Sequence, residues 1–231
     1  MTRSWGQSPQ KCSLCLEGEL ETRAAYYIGL DLGQSMDYTA LAVIEWKMSR
    51  WPEQFPLGQP KEQTRATYDV RHLQRFKLGT TYPDIVSQLA TMLKVPAFAD
   101  LWVALVIDST GVGAPVVDLL RRANLKANLV PVTITGGQSV EINRGNYRVP
   151  KRDLVSTTKV LLQSGRLRFA ELPETPILVK ELLAFQVKID PVTAHDSYAA
   201  WREGVHDDLV LALALACWYG ESCLLAGRLL H

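Results

Sequence analysis

Apolar and polar positions along the chain fall into blocks of two kinds. Near-continuous apolar runs cover Tyr26–Leu32, Ala40–Trp46, Leu101–Ile107 and Asn128–Ile134, the pattern of strands covered on both faces. Between and after them come segments with helical spacing. Tyr82–Leu93 places Ile85, Leu89, Met92 and Leu93 on one side, with Pro83 near its start, as an N-terminal helical proline should be. Ala114–Ala123, Lys151–Gln163 and Thr175–Phe185 read as further helices. His206–Tyr219 is apolar on nearly every side, which predicts a helix buried in the core.

The order of these blocks constrains the architecture. Tyr26–Leu32 and Ala40–Trp46 flank a short turn rich in Gly, Ser and Asp, so they predict a buried β-hairpin. Thr64–Lys77 follows the loop Lys47–Gln63 and should pair with that hairpin as a third strand. Leu101–Ile107, the turn Ser109–Gly113, a helix and Asn128–Ile134 alternate as strand, helix and strand, which argues for a parallel portion of sheet under helices. Gly136–Val149 predicts a protruding β-hairpin, Arg166–Phe169 a short strand and Val187–Trp201 strand-and-turn material. The expectation is one mixed α/β domain over residues 25–220, after a flexible extension, 1–24, and before a tail, 221–231.

Composition narrows the class. The 231 residues are 47% hydrophobic and 21% charged, enough to bury a large core without disulfide or metal staples. A net charge of +1 means that a nucleic-acid site would be a local basic patch and not a global field. No apolar run is long enough to span a bilayer, and Met1–Arg23 is too polar for a signal peptide. A cytoplasmic protein is expected. Cys12 and Cys15 form a CxxC, but the other pair, Cys217 and Cys223, has a different spacing. His195 and His206 could complete four ligands only by a coincidence of fold, so reduced thiols are expected instead of a zinc site.

The chemistry lies in acids that interrupt apolar elements. Asp31 sits inside the first run, Asp108 ends a later one, and Asp207 and Asp208 open the last helix. Each has a structural explanation taken alone: a helix N-cap for Asp207 or Asp208, a turn residue for Asp108. Asp31 has the weakest such explanation, because an unpaired buried charge costs several kcal/mol. Together they suit a hard divalent cation such as Mg²⁺ or Mn²⁺, which prefers carboxylate oxygen and completes its shell with water and phosphate.

Five segments carry a family resemblance: IGLDLGQSMDYTAL (Ile28–Leu41), VIDSTGVGAPVVDLL (Val106–Leu120), VPKRDLV (Val149–Val155), LLQSGRLRF (Leu161–Phe169) and HDDLVLALALACWY (His206–Tyr219). Over Tyr26–Tyr219 the chain resembles the ribonuclease H-like nuclease domain of the large terminase subunit of tailed bacteriophages. The His-Asp-Asp that opens an Ala/Leu-rich helix is its most specific part. The resemblance implies an antiparallel hairpin joined to parallel strands in one mixed sheet flanked by helices. It further implies a double-stranded DNA endonuclease that uses two divalent cations, with Asp31, Asp108, Asp207 and Asp208 as metal-binding and catalytic acids. The portal protein, the small terminase subunit and a packaging ATPase are the implied partners, and the cytoplasm of an infected bacterial cell the implied place. Terminase large subunits also carry a GxxxxGK[ST] phosphate loop, which this sequence lacks. The chain is expected to be an isolated nuclease domain, a fragment, or a protein whose motor lies on another chain.

Phosphate contacts call for cations. Arg144, Arg148, Lys151 and Arg152 form one cluster, expected to touch the DNA backbone. Arg121, Arg122 and Lys126 form another, at a helix C-terminus that suits them without any ligand. Three rival readings remain. Asp31-Leu32-Gly33 and Asp108–Gly113 imitate the phosphate loops of the actin and sugar-kinase superfamily, although such enzymes need two large lobes. A Holliday-junction resolvase would use the same fold. A catalytically silent DNA-binding or scaffold domain would have no use for a full set of carboxylates.

Overall fold

The computed structural model describes residues 21–33, 37–50, 65–111, 113–187 and 207–225. The expected extension 1–24, apart from its last residues, lies outside them. So do Cys12, Cys15, His195, His206 and nearly all of the segment Val187–Trp201.

Eight strands among the described residues form one mixed sheet. The hairpin β1 (Glu21–Asp31) and β2 (Ala40–Arg50) is antiparallel, and β3 (Arg65–Arg75) pairs antiparallel with β2. β4 (Trp102–Asp108) lies parallel to β1, and β5 (Asn128–Thr135) parallel to β4. β6 (Glu141–Asn143) and β7 (Asn146–Pro150) complete that edge, while β8 (Leu167–Phe169) pairs with β3 at the other. The strand order is β6-β7-β5-β4-β1-β2-β3-β8. This is the mixed sheet, antiparallel hairpin plus parallel strands flanked by helices, that the ribonuclease H-like resemblance implies.

Near-continuous apolar runs are needed because both faces are covered. Ile28, Leu30, Leu105 and Ile107 point into one core, closed by α1 (Tyr82–Met92) and α2 (Gly113–Arg122). Tyr27, Ala104 and Val106, the alternate residues, point into the other. Here lie α3 (Lys151–Gln163), α4 (Thr175–Val187) and α5 (Asp208–Leu225). From Leu209 to Ala216 every residue of α5 is buried. A helix walled in on all sides has no room for a polar stripe.

Several boundaries differ from the sequence reading, among them the end of β2, which runs past Trp46 to Arg50 and so takes up the start of the expected loop Lys47–Gln63. β1 begins at Glu21, because its backbone ladder with β2 extends beyond the apolar run to Glu21↔Arg50. The Gly136–Val149 hairpin is not simply protruding: β7 joins the sheet parallel to β5, and only β6 and the turn stand at the edge. Helix α5 passes Tyr219 and runs to Leu225, so part of the expected tail is helix. Gly220 resembles a helix stop, yet it is a packing glycine. A Cβ there would stand 2.7 Å from the Tyr68 ring. Its neighbour Glu221 accepts from the Tyr68 hydroxyl at 2.5 Å and from both terminal nitrogens of Arg166 at 2.5 and 3.1 Å. That network holds the C-terminal half of α5 to the sheet.

Glycine matters most at Gly29. A Cβ built there would lie 1.7 Å from the Ala212 carbonyl oxygen and 3.2 Å from the Ala216 amide nitrogen. Helix backbone rests on strand backbone, with nothing between. Gly29→Ala must push α5 off the sheet and should cost about 3 kcal/mol, the upper part of the usual overpacking range. Gly136→Ala is the control, since a Cβ there meets nothing within 4 Å. Denaturant unfolding of the two variants measures the difference, and equal stabilities would disprove the close packing.

Candidate metal centre

Register alone brings the first two acids together. Leu30 on β1 pairs with Ile107 on the parallel strand β4, so Asp31 and Asp108, each one residue further on, end neighbouring strands. Both share the parity of Gly29 and Val106, and alternation therefore turns them toward α5. That helix runs back along β1 from its N-terminus, with Ala212 over Gly29. Its first residue, Asp208, arrives above the same strand ends. The three side chains are buried: Asp31 and Asp108 are 9% exposed and Asp208 6%. Asp207 is the more open of the neighbouring pair, with its side chain 21% exposed.

The convergence has an electrostatic consequence. The Asp31 carboxyl is held well above the usual carboxylate range, by burial first and then by the charges of Asp108, Asp208 and Asp207. Lys151 opposes them, and its ammonium lies 3.8 Å from an Asp207 oxygen. Four acids from three separate elements thus feel one another across a single buried site.

Local bonds fix the loops that carry them. An Asp108 oxygen accepts the Thr110 amide at 2.7 Å, and the Thr110 hydroxyl in turn accepts the Ile134 amide at 2.8 Å. The Ser109 hydroxyl donates to the Val132 carbonyl at 3.0 Å. Asp108 is therefore a turn residue, as its structural explanation required, and that same turn aims it. After Asp31, the Gly33 amide donates to the Thr39 hydroxyl at 3.1 Å and Tyr82 donates to the Gly33 carbonyl at 3.2 Å.

Two further residues, absent from the sequence reading, join the acids. Glu181, on α4, is 5% exposed and close enough for Asp208 and Asp207 to act on its charge. Burial pushes its carboxyl up to about 7, despite the Val210 amide and the Arg75 guanidinium. Arg75, the last residue of β3, binds Glu181 and lies 3.2 Å from an Asp208 oxygen. Glu181 had a signal: with Leu178 and Leu182 it occupies the apolar stripe of its helix, where a charge is out of place.

The donor set is all hard oxygen, the preference of Mg²⁺ or Mn²⁺, and the mutual repulsion at Asp31 is of the kind a divalent cation relieves. Among the described residues, no three His, Cys, Asp or Glu side chains close into a ready-made ion cage. Hard cations of this kind commonly take only one or two protein carboxylates.

The four residues of the basic cluster have different surroundings. Arg144 sits in the β6–β7 turn at φ 48°, followed by Gly145 at φ 81°. Arg148 faces Glu141 across the hairpin at 3.4 Å. Arg152 is turned to Gln138 and to Asp153. Lys151 alone of the four reaches the acids. Arg121 pairs with Asp118 at 3.0 Å one helical turn away, on an exposed helix end with Arg122. Cys217 and Cys223 are buried and unbridged. No described helix is long and apolar enough to cross a membrane.

No family model matches the chain, and no curated protein matches it in sequence. Among solved structures it is similar to the large terminase nuclease from thermophilic phage G20c, at 19% identity and a TM-score of 0.49. The alignment covers 84% of this chain and 81% of that one.

Proposed function

We propose that the chain is a metal-dependent endonuclease for double-stranded DNA, the nuclease part of a viral DNA-packaging terminase working in the cytoplasm of an infected bacterium. The observation that carries this reading is the meeting of Asp31, Asp108, Asp207 and Asp208 at one buried end of the sheet. Portal protein, small terminase subunit and a packaging ATPase are the partners such a nuclease would need.

In this reading the residues divide the work. Asp31 and Asp108, side by side on rigid strands, and Asp208 above them would hold two divalent cations. When bound, such a pair generates a nucleophile from water and stabilises the leaving oxygen of a phosphodiester. Asp207, more exposed and beside Lys151, supports the second position or orients water. Lys151 brings a positive charge to the rim, where a DNA phosphate would sit. Arg144, Arg148 and Arg152 extend that charge along the β6–β7 edge for backbone contact. Folding places every acid before substrate arrives, so little reorganisation remains for the reaction itself.

Supercoiled plasmid should be nicked and then linearised with Mg²⁺ or Mn²⁺, and EDTA should stop it. Equal cleavage in EDTA would defeat the reading.

Asp31→Asn should abolish cleavage and leave the fold intact, with a pH signature. The folded-state pKa of Asp31 lies above its ordinary value of 3.8, so folding favours the protonated acid. Above that ordinary value the folded protein binds more protons than the unfolded one, and the contribution of this group falls as pH rises. In metal-free protein Asp31→Asn should therefore raise Tm at about pH 8, and lose that advantage toward about pH 4. A lower Tm at neutral pH would make Asp31 a structural residue.

Asp208→Ala should abolish cleavage, because Asp208 is the more buried of the two neighbours. Asp207→Ala should leave a residue of activity that rises with metal concentration. A metal titration of both variants ranks them, and the opposite order would exchange their roles.

A further inference from the structure

One row of residues crosses the sheet on the face that carries the acids. Arg75 pairs with Ala40, and Ala40 with Asp31; Asp108, beside Asp31, pairs with Val132. Ala40 is fully buried and small, so the Arg75 side chain can extend over the strand that separates it from the site. Its guanidinium meets Glu181 of α4 and, at 3.2 Å, Asp208 of α5. The Tyr38 ring lies under it, 4.7 Å from guanidinium carbon to centroid.

Glu181 does more than balance Arg75. Its Oε1 accepts from the guanidinium, and its Oε2 accepts the Val210 amide at 3.0 Å. The Leu211 amide already bonds the Asp207 carbonyl at 2.9 Å, which makes Asp207 the N-cap and Val210 the third residue of the helix. An N-cap side chain commonly takes that third amide. Here a carboxylate from another helix takes it.

We propose that Arg75 and Glu181 are a positioning pair for Asp208. Together they tie β3, α4 and the first turn of α5 into one bridge that fixes the carboxylate and the helix end bearing it. This rests on the metal-site reading. Each Glu181 oxygen already accepts from a protein donor, one on β3 and one on α5, and the work assigned to Glu181 is to join the two. Both contacts come from one guanidinium nitrogen, Nη2, which stands between the two carboxylates; a planar guanidinium holds that nitrogen in a set direction, which a freely rotating ammonium does not. Glu181 offsets part of the Arg75 charge, and the aspartates beside the pair keep the site rich in carboxylate. Stability alone would not call for such a pair, since a buried ion pair can often be replaced by apolar groups without loss.

The test compares wild type with Arg75→Met, Arg75→Lys and the double variant Arg75→Met/Glu181→Met. Mn²⁺ affinity is measured by calorimetry, Tm in EDTA, and kcat and KM on plasmid. Removing a cation from beside carboxylates would by charge alone strengthen Mn²⁺ binding, so only a lost position can weaken it. Arg75→Met should bind Mn²⁺ about tenfold more weakly, within the range found for partners of metal ligands, and kcat should fall with KM for DNA unchanged. Arg75→Lys should recover part of both. The double variant should regain Tm without regaining affinity, and it decides the matter if Arg75→Met does not fold. Mn²⁺ binding by Arg75→Met as tight as wild type, or a double variant restored in affinity as well as Tm, would overturn the proposal. Wild type that binds Mn²⁺ without cutting DNA overturns the nuclease reading alone, and the affinities still judge the pair.

Discussion

A backbone contact governs this molecule: α5 lying on β1 at Gly29 with no side chain between them. The contact sets the height of the helix above the sheet, and the height decides where Asp208 ends up. One added methyl would meet the Ala212 carbonyl at 1.7 Å, and yielding to it would lift the helix from the strand ends. The network at the other end of α5, Glu221 with Tyr68 and Arg166, limits sliding along the strand. Aromatic packing adds to that hold, with Tyr147 edge-on to Trp218 at 5.6 Å and Tyr27 edge-on to Tyr219 at 6.1 Å. The site is thus aimed from the far end of its own helix.

Against this anchoring stands a repulsion the fold itself creates. Burying Asp31 beside Asp108 and Asp208 raises the cost of ionising it. Sites of this kind trade stability for a task, and the trade is tolerable only where the surrounding structure is overdetermined. Strand register, the Asp108 turn and the α5 packing supply that surplus. Lys151 and Arg75 offset part of the negative charge without matching it.

Much of this was legible in the sequence, and what was not has identifiable causes. Strands and helices followed from apolar runs and helical spacing, because a sheet covered on both faces leaves a strong signal. Asp31, Asp108 and Asp208 stood out as charges within or at the edge of apolar runs. Arg75 did not, and the reason is a register shift. Ala66, Tyr68 and Val70 point toward α5, and strict alternation would continue with His72 and Gln74. Val70 pairs with Ile44 but His72 with Val43, so Arg71 is an extra residue, a bulge. Beyond it the inward positions are Leu73 and Arg75. A single inserted residue exchanges the faces of everything after it, and its mark in the sequence is slight: the apolar positions pass from Ala66, Tyr68 and Val70 to Leu73.

The bulge also explains why Glu181 was hard to read. A glutamate on the apolar stripe of α4 looks like a defect until its partner is known, and that partner lies 106 residues away on the far side of the bulge. The same holds for Asp207 and Asp208, which helical periodicity alone separates poorly. Burial and partners separate them: Asp208 lies under Arg75 and Asp207 beside Lys151. Each neighbour thus has its own cation, drawn from a different element. Two adjacent acids about 100° apart on a helix are held in different surroundings by β3 on one side and α3 on the other. The difference between the two lies in the elements that pack against the helix, and helical periodicity alone does not carry it.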